Sequence, residues 1–185
     1  MNRRRFSLIA SIVAAAIALP VYAAENLQLV EQQIKAGMLY NFLKYTEWPA
    51  GRMPASGEPV VVCLLGGDPF GGHLRPMAGR TVNQQTIGVR TLPPGAEIQD
   101  CSLVVVHADL QSSWPDMQRR LAGQSVLTVS DMPGFASSGG MIEFTRTDNR
   151  IGVTINTDSV TAAHLVVQDR LLRLARTVGK TPPGR

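Results

Sequence analysis

Residues that carry out chemistry are scarce in this chain and poorly spaced for it. It has two cysteines and three histidines. No two of them stand at metal-ligand spacing, so the sequence offers no zinc site and no metal or other cofactor is expected. No serine lies in a Gly-x-Ser-x-Gly setting, which removes the nucleophile elbow of an α/β-hydrolase. The stretch Gly66-Gly67-Asp68-Pro69-Phe70 lacks the Lys and the hydroxyl residue that a phosphate loop needs. Internal repeats, low-complexity tracts and interdomain linkers are also absent, which excludes solenoids and multidomain arrays.

Charge offers as little. The whole chain carries 18 Lys and Arg against 14 Asp and Glu, but Arg3, Arg4 and Arg5 open a three-part export signal. Ser7 to Leu19 are apolar or small, and Val21-Tyr22-Ala23 supplies small residues at the −3 and −1 positions of a cleavage site. Cutting is expected after Ala23, which places the mature protein in the periplasm. An uncleaved anchor is the alternative, yet the apolar stretch falls short of the ~20 residues that span a bilayer. Arg3-Arg4-Arg5-Phe6 partly fits a twin-arginine signal, with Ser7 where Leu is usual. Without those three arginines, 15 basic residues face 14 acidic ones. That balance removes the case for nucleic acid or an acidic membrane surface. No second apolar span follows, so no stable membrane insertion of the mature chain is expected. The remaining residues, about 160, suffice for one domain with its own core.

What the chain does have is a clear series of elements. Leu27 to Trp48 reads as a helix whose apolar stripe runs through Leu27, Val30, Ile34, Met38, Phe42 and Tyr45. Trp48-Pro49 ends it. Val60 to Leu65 is an unbroken, β-branched apolar run, the signature of a strand covered on both faces. Gly66 and Gly67 make a sharp exit, Asp68 is a good N-cap and Pro69 a good first helical residue, so a helix is expected from there to about Gly79. Gln85 to Leu92 and Leu103 to His107 read as further strands, Trp114 to Leu121 as a short helix, and Ser125 to Val129 as another strand. Ser130-Asp131-Met132-Pro133 offers caps for one helical turn. Met141 to Ile155 reads as a hairpin turning at Asp148-Asn149. In that register Phe144 faces Val153, Ile142 faces Ile155, and Glu143 shares the other face with Thr154. Asn156 and Asp158 cap a helix to about Ala163, with His164 in the left-handed conformation after it. A last helix carries Leu171, Leu174, Ala175 and Val178 on one stripe and Arg170, Arg173 and Arg176 on another. The expected fold class is α/β: a single domain with a mixed, mostly parallel sheet flanked by helices on both faces, a Rossmann-like sandwich. Its boundaries are 1–23 for the export signal, 24–180 for the domain and 181–185 for a frayed tail.

Two cysteines in an exported chain point to a disulfide, since Cys63 lies in one apolar strand and Cys101 opens another. The alternative is two buried thiols.

Several stretches together resemble a known family. Lys35-Ala36-Gly37-Met38-Leu39-Tyr40-Asn41-Phe42 through Glu47-Trp48-Pro49 is similar to the opening helix of YfiR-like periplasmic proteins. So are residues 67–71 (Gly-Asp-Pro-Phe-Gly), 128–135 (Thr-Val-Ser-Asp-Met-Pro-Gly-Phe) and 139–144 (Gly-Gly-Met-Ile-Glu-Phe), and Leu171-Leu172-Arg173-Leu174-Ala175-Arg176. The resemblance implies an exported, non-enzymatic α/β regulator that forms a homodimer. It also implies a partner, an inner-membrane signalling protein such as a diguanylate cyclase, restrained through its periplasmic part; a sensor kinase is the other signalling protein expected as partner. In that family the cysteine matching Cys63 is placed to pair with the one matching Cys101. This chain departs from the pattern at His164, where Gly is common, and at Gln168, where a capping Ser is common. It has no second cysteine pair, so no second, switchable disulfide is available.

One pocket is expected. If the strands run parallel, Gly66, Gly67, His107, Ser130 and Asp131 all lie near their carboxyl ends, where open α/β sheets bind ligands. Each has a plainer reading. The glycines and Asp68 make a capped turn. They differ from the Gly-Gly-Asp-Glu-Phe string of diguanylate cyclases because Pro69 replaces the metal-binding carboxylate, and an exported chain meets no GTP. Asp131 is equally a cap beside Pro133. Tyr45 and Trp48 read as core, and the arginine stripe as a solvated face. A small-molecule-binding protein reporting to a sensor kinase or transporter is the second functional reading.

Overall fold

The computed structural model describes residues 27–179, apart from 53, 55, 56, 99, 148 and 149. The stretches read as an export signal (1–23) and a tail (181–185), and the turn expected at Asp148-Asn149, lie outside the described residues. No described helix is long and apolar enough to cross a membrane.

Residues 27–44 are helical and form α1. Ala36, Leu39, Phe42 and Leu43 are its buried side chains, three and four apart as a single buried face requires. Leu27, Val30 and Ile34, which the periodicity assigns to the same stripe, are instead 55, 53 and 47% exposed. The core meets α1 only from Ala36 onward, so its first turns project beyond it. The helix also stops before Trp48: Thr46–Glu47 form a short strand, β1, antiparallel to Val166–Val167. Pairing with a segment 121 residues away overrides the local helical period there.

Val60–Leu65 is β2, as its composition demands. The helix expected after it does not form. Asp68 does cap, its carboxylate accepting from Phe70 N and Gly72 N at 2.8 Å each. However, Gly71 and Gly72 take positive φ, 56 and 86°, and this turns the chain away from the helical path. Only a single 3-10 turn, Arg75–Met77, follows. Thr81–Val82 (β3) and Gln85–Leu92 (β4) then form a hairpin around Asn83 and Gln84, both left-handed at φ 47 and 69°. Those two residues carry no glycine, and the hairpin escapes notice in the sequence. Leu103–Val106 (β5), Trp114–Leu121 (α2) and Leu127–Ser130 (β6) follow their expected places closely.

Ile142–Thr147 (β7) and Arg150–Asn156 (β8) pair in the register read from the sequence: Ile142 opposite Ile155, Phe144 opposite Val153, Glu143 opposite Thr154. Asn156 caps Thr157–Ala162 (α3) by accepting from Ser159 N at 3.0 Å. His164 sits just beyond at φ 58°, the expected left-handed residue. The final stretch departs from a long helix. After Val166–Val167 (β9), Asp169–Leu172 (α4) makes four helical residues, and Arg176–Val178 (β10) joins the sheet parallel to β8. At the N-cap of α4, Gln168 makes no capping bond and donates instead to Glu47 Oε1 at 2.9 Å.

The main sheet has eight strands in the order β10-β8-β7-β6-β5-β2-β4-β3, parallel except for the two hairpins. Alternation sorts its side chains into two cores. Val60, Val62 and Leu64 join Leu103, Val105 and the buried face of α1, together with α3 and α4 residues. Cys63 and Leu65 join Val104, Val106, Trp114 and Met117 beneath α2. Helices therefore cover both faces.

Cys63 and Cys101 are bonded, 5.9 Å apart at Cα, and both are buried in the second core. The bridge closes a span of 38 residues between β2 and the start of β5. On the chain-entropy model such a loop is worth about 4 kcal/mol. Reduction is therefore expected to lower the unfolding free energy obtained from denaturant titration by up to that much, and thiol labelling of the unfolded, unreduced protein should find no free thiol. Two labelled cysteines per chain would contradict the bond.

Candidate functional site

β2, β5 and β6 are neighbours and parallel, so their carboxyl ends open on one side of the sheet. A cleft of about 590 Å³ lies there, between those ends and the first turns of α1. Asp68, Pro69, His107 and Asp131 line it from the strand ends, Glu31 and Lys35 from α1, and Arg146 from β7.

Each of these positions follows from local chemistry. Gly66 exits β2 at φ 88°, and a Cβ there would come 2.7 Å from Leu110 Cδ1. Only glycine satisfies both the backbone and that contact. His107 follows β5 and caps the next 3-10 helix, its Nδ1 accepting from Asp109 N at 3.3 Å. Ser130 at the end of β6 is fully buried. Its hydroxyl donates to Val106 O at 2.7 Å and accepts from Met132 N at 3.1 Å, tying β6 to β5 and opening the next loop.

Charge in the cleft is linked in a chain. Lys35 Nζ lies 2.8 Å from Glu31 Oε1 and 3.2 Å from Asp131 Oδ2, while Arg146 Nη1 lies 3.1 Å from Glu31 Oε2. The lysine ammonium group is mostly sequestered, so these pairs are screened less than surface ones. The network joins α1, the loop after β6, and β7.

Of the five residues expected at this pocket, His107 and Asp131 line the cleft. Gly66 and Gly67 form the turn against His107, 3.3 and 3.7 Å from its side chain on an added Cβ. Ser130 lies beneath, its hydroxyl spent within the fold. Glu31, Lys35 and Arg146 were missed. The i, i+4 spacing of Glu31 and Lys35 on a helix was the available signal, but nothing local points their helix at the strand ends. Among the described residues, no group of three or more His, Cys, Asp and Glu is placed to hold a metal ion.

The loop from Asp131 to Gly140 shapes the cleft's edge, and a buried carboxylate holds it. Glu143 on β7 accepts from Gly134 N and Ala136 N at 3.0 Å each. Phe135, between them, packs on Trp114 with ring centroids 4.4 Å apart, and a Cβ at Gly140 would strike its ring at 2.2 Å.

With this geometry in view, the motif-rich stretches and the fold converge on one family model, YfiR/HmsC-like, which matches residues 32–176. The chain belongs to the YfiR/HmsC-like family. No curated protein matches it. The match spans strands β1 to β9, the loop held by Glu143 and most of the cleft, including Lys35, Asp131 and Arg146. Members of the family are periplasmic regulators rather than catalysts, and the cleft's chemistry suits recognition. It offers both signs of charge on fixed elements, with donors and acceptors already held in place.

Replacing Glu143 by Ala leaves two backbone N–H groups without their acceptor, one of them buried. A loss of roughly 2–3 kcal/mol in denaturant unfolding is expected, with Glu143→Gln losing less because one amide oxygen still accepts. Equal stability of the alanine variant and the wild type would show that the loop is held by its apolar contacts alone.

Proposed function

We propose that this protein is a periplasmic repressor that binds the periplasmic part of an inner-membrane signalling protein such as a diguanylate cyclase. Family membership across residues 32–176 is the observation that carries this reading, since YfiR/HmsC-like proteins regulate cyclic-di-GMP signalling from the periplasm. The export signal read from Met1 to Ala23 agrees with it, as does a cleft whose charges are mutually paired. Activity is then a matter of docking and release, and the disulfide keeps the docking module folded in an oxidising compartment.

A second reading rests on the cleft itself. A volume of about 590 Å³ at the strand ends, with Lys35, Asp131 and His107 in its wall, has the size and polarity of a site for a small charged molecule. On that reading the protein reports a ligand to a sensor kinase or transporter.

Deleting the gene is expected to raise cellular cyclic-di-GMP, and supplying the chain in trans to restore it. Crosslinking at the cell envelope should join the protein to a membrane protein with a periplasmic domain and a cyclase domain. Unchanged cyclic-di-GMP and no such crosslink would overturn the repressor. Thermal stabilisation by a charged metabolite, lost in Asp131→Ala, would in that case support the second reading.

A further inference from the structure

The first turns of α1 stand beyond the core with an apolar stripe facing outward. Leu27, Val30 and Ile34 recur at i, i+3 and i+7, and about half of each is exposed. A groove of about 300 Å³ runs between this stripe and the β7–β8 hairpin, which contributes Ile151 to its floor and Arg146 and Arg150 to its rim. Isolated exposed aliphatics are ordinary. Three on one helical stripe, beside a groove, are the arrangement by which one helix receives another.

A second observation is independent of the first. Gly37 continues the exposed face one turn beyond Ile34, in the interior of α1. Glycine is the poorest helix former after proline, and nothing in the described structure asks for it here. Its φ is not left-handed, and an added Cβ would meet nothing within 4 Å. Elsewhere the fold gives its tight glycines a reason, as at Gly66 and Gly140. At Gly37 the bare backbone leaves room for a partner that approaches from outside.

Charge narrows the partner. Arg146 and Glu31 in the groove's lining are bonded to each other, and Glu31 to Lys35 as well, which leaves Arg150 as the exposed cation beyond that network. Among the described lining residues, cations therefore outnumber anions by one, through Arg150. We infer that the Leu27–Val30–Ile34 stripe, the open backbone at Gly37 and the Arg146/Arg150 rim form the docking face for an amphipathic helix of a partner protein, its apolar stripe flanked by acidic residues. The inference deepens the repressor reading by naming the surface that reading needs, and it rests on that reading only for the partner's identity.

Two synthetic helical peptides with the same leucine stripe, one flanked by glutamates and one by lysines, test the face against the protein expressed from its full-length gene. Fluorescence anisotropy should show the acidic peptide binding at least about tenfold tighter, with affinity falling several-fold between low and physiological salt. Val30→Asp should abolish binding, and Arg150→Glu should erase the preference for the acidic peptide. Gly37→Ala should raise the melting temperature by about 2–4 °C while weakening the peptide complex, two opposed readouts that misfolding cannot imitate. Equal affinity for the two peptides, or binding untouched by Val30→Asp, overturns the assignment. So does self-association that Val30→Asp dissolves, which would give the face to a second copy of the chain. If Val30→Asp still crosslinks to the membrane signalling protein, this docking face fails and the repressor stands. If the wild type crosslinks to none but binds the acidic peptide, the repressor fails and the face stands.

Discussion

β2 lies between two parallel neighbours, β4 and β5, so its backbone is paired along both edges and its side chains must be covered above and below. Val60, Val62 and Leu64 demand one core and Cys63 and Leu65 another. Each fully buried aliphatic side chain contributes roughly 1.5–3 kcal/mol. Leaving either face open would forfeit several of these at once. The assignment of α1, α3 and α4 to one side and α2 to the other follows from this need. The disulfide is set in the second core, where a single helix provides the cover and the link from β2 to the start of β5 adds to it.

The same parallel arrangement creates the cleft. Parallel strands deliver all their exits to one side, and the turn at Gly66, the cap at His107 and the loop after Ser130 are three solutions to leaving the sheet there. Glu143 is the counterpart at the next strand. Its carboxylate sits on the pleat opposite Thr154 and reaches back to the loop before its own strand, so that hairpin register and loop shape are one structural fact. α1 then lies across the strand exits, tied by Lys35 to Asp131. Its C-terminal half is held by apolar packing and its first turns by ion pairs. The two halves answer to different forces, apolar burial in one and partly sequestered ion pairs in the other.

Much of this was legible residue by residue. The run from Val60 to Leu65, the register of Ile142 and Phe144 against Ile155 and Val153, the cap at Asn156 and the left-handed His164 all rest on a period of two or on the chemistry of a single turn. Those are local properties, and neighbouring residues suffice to specify them. The cysteine pair needed only the further premise that both strands share a sheet. The site was half legible. His107 and Asp131 followed from where parallel strands end, whereas Glu31, Lys35 and Arg146 depend on how a distant helix and hairpin cross above those ends.

By itself, then, the amino-acid sequence determined the elements with strong periodicity, the caps, the hairpin register and the two-sided burial of the central strand. Tertiary structure decided the rest. It chose where the buried stripe of α1 begins, turned the capped stretch after Asp68 into a loop at Gly71 and Gly72, and converted Thr46–Glu47 and Arg176–Val178 from helix to strand. The physical reason is common to these cases. A few residues of helical period are worth little on their own, so a strand partner more than a hundred residues away, or the edge of a nearby sheet, outweighs them.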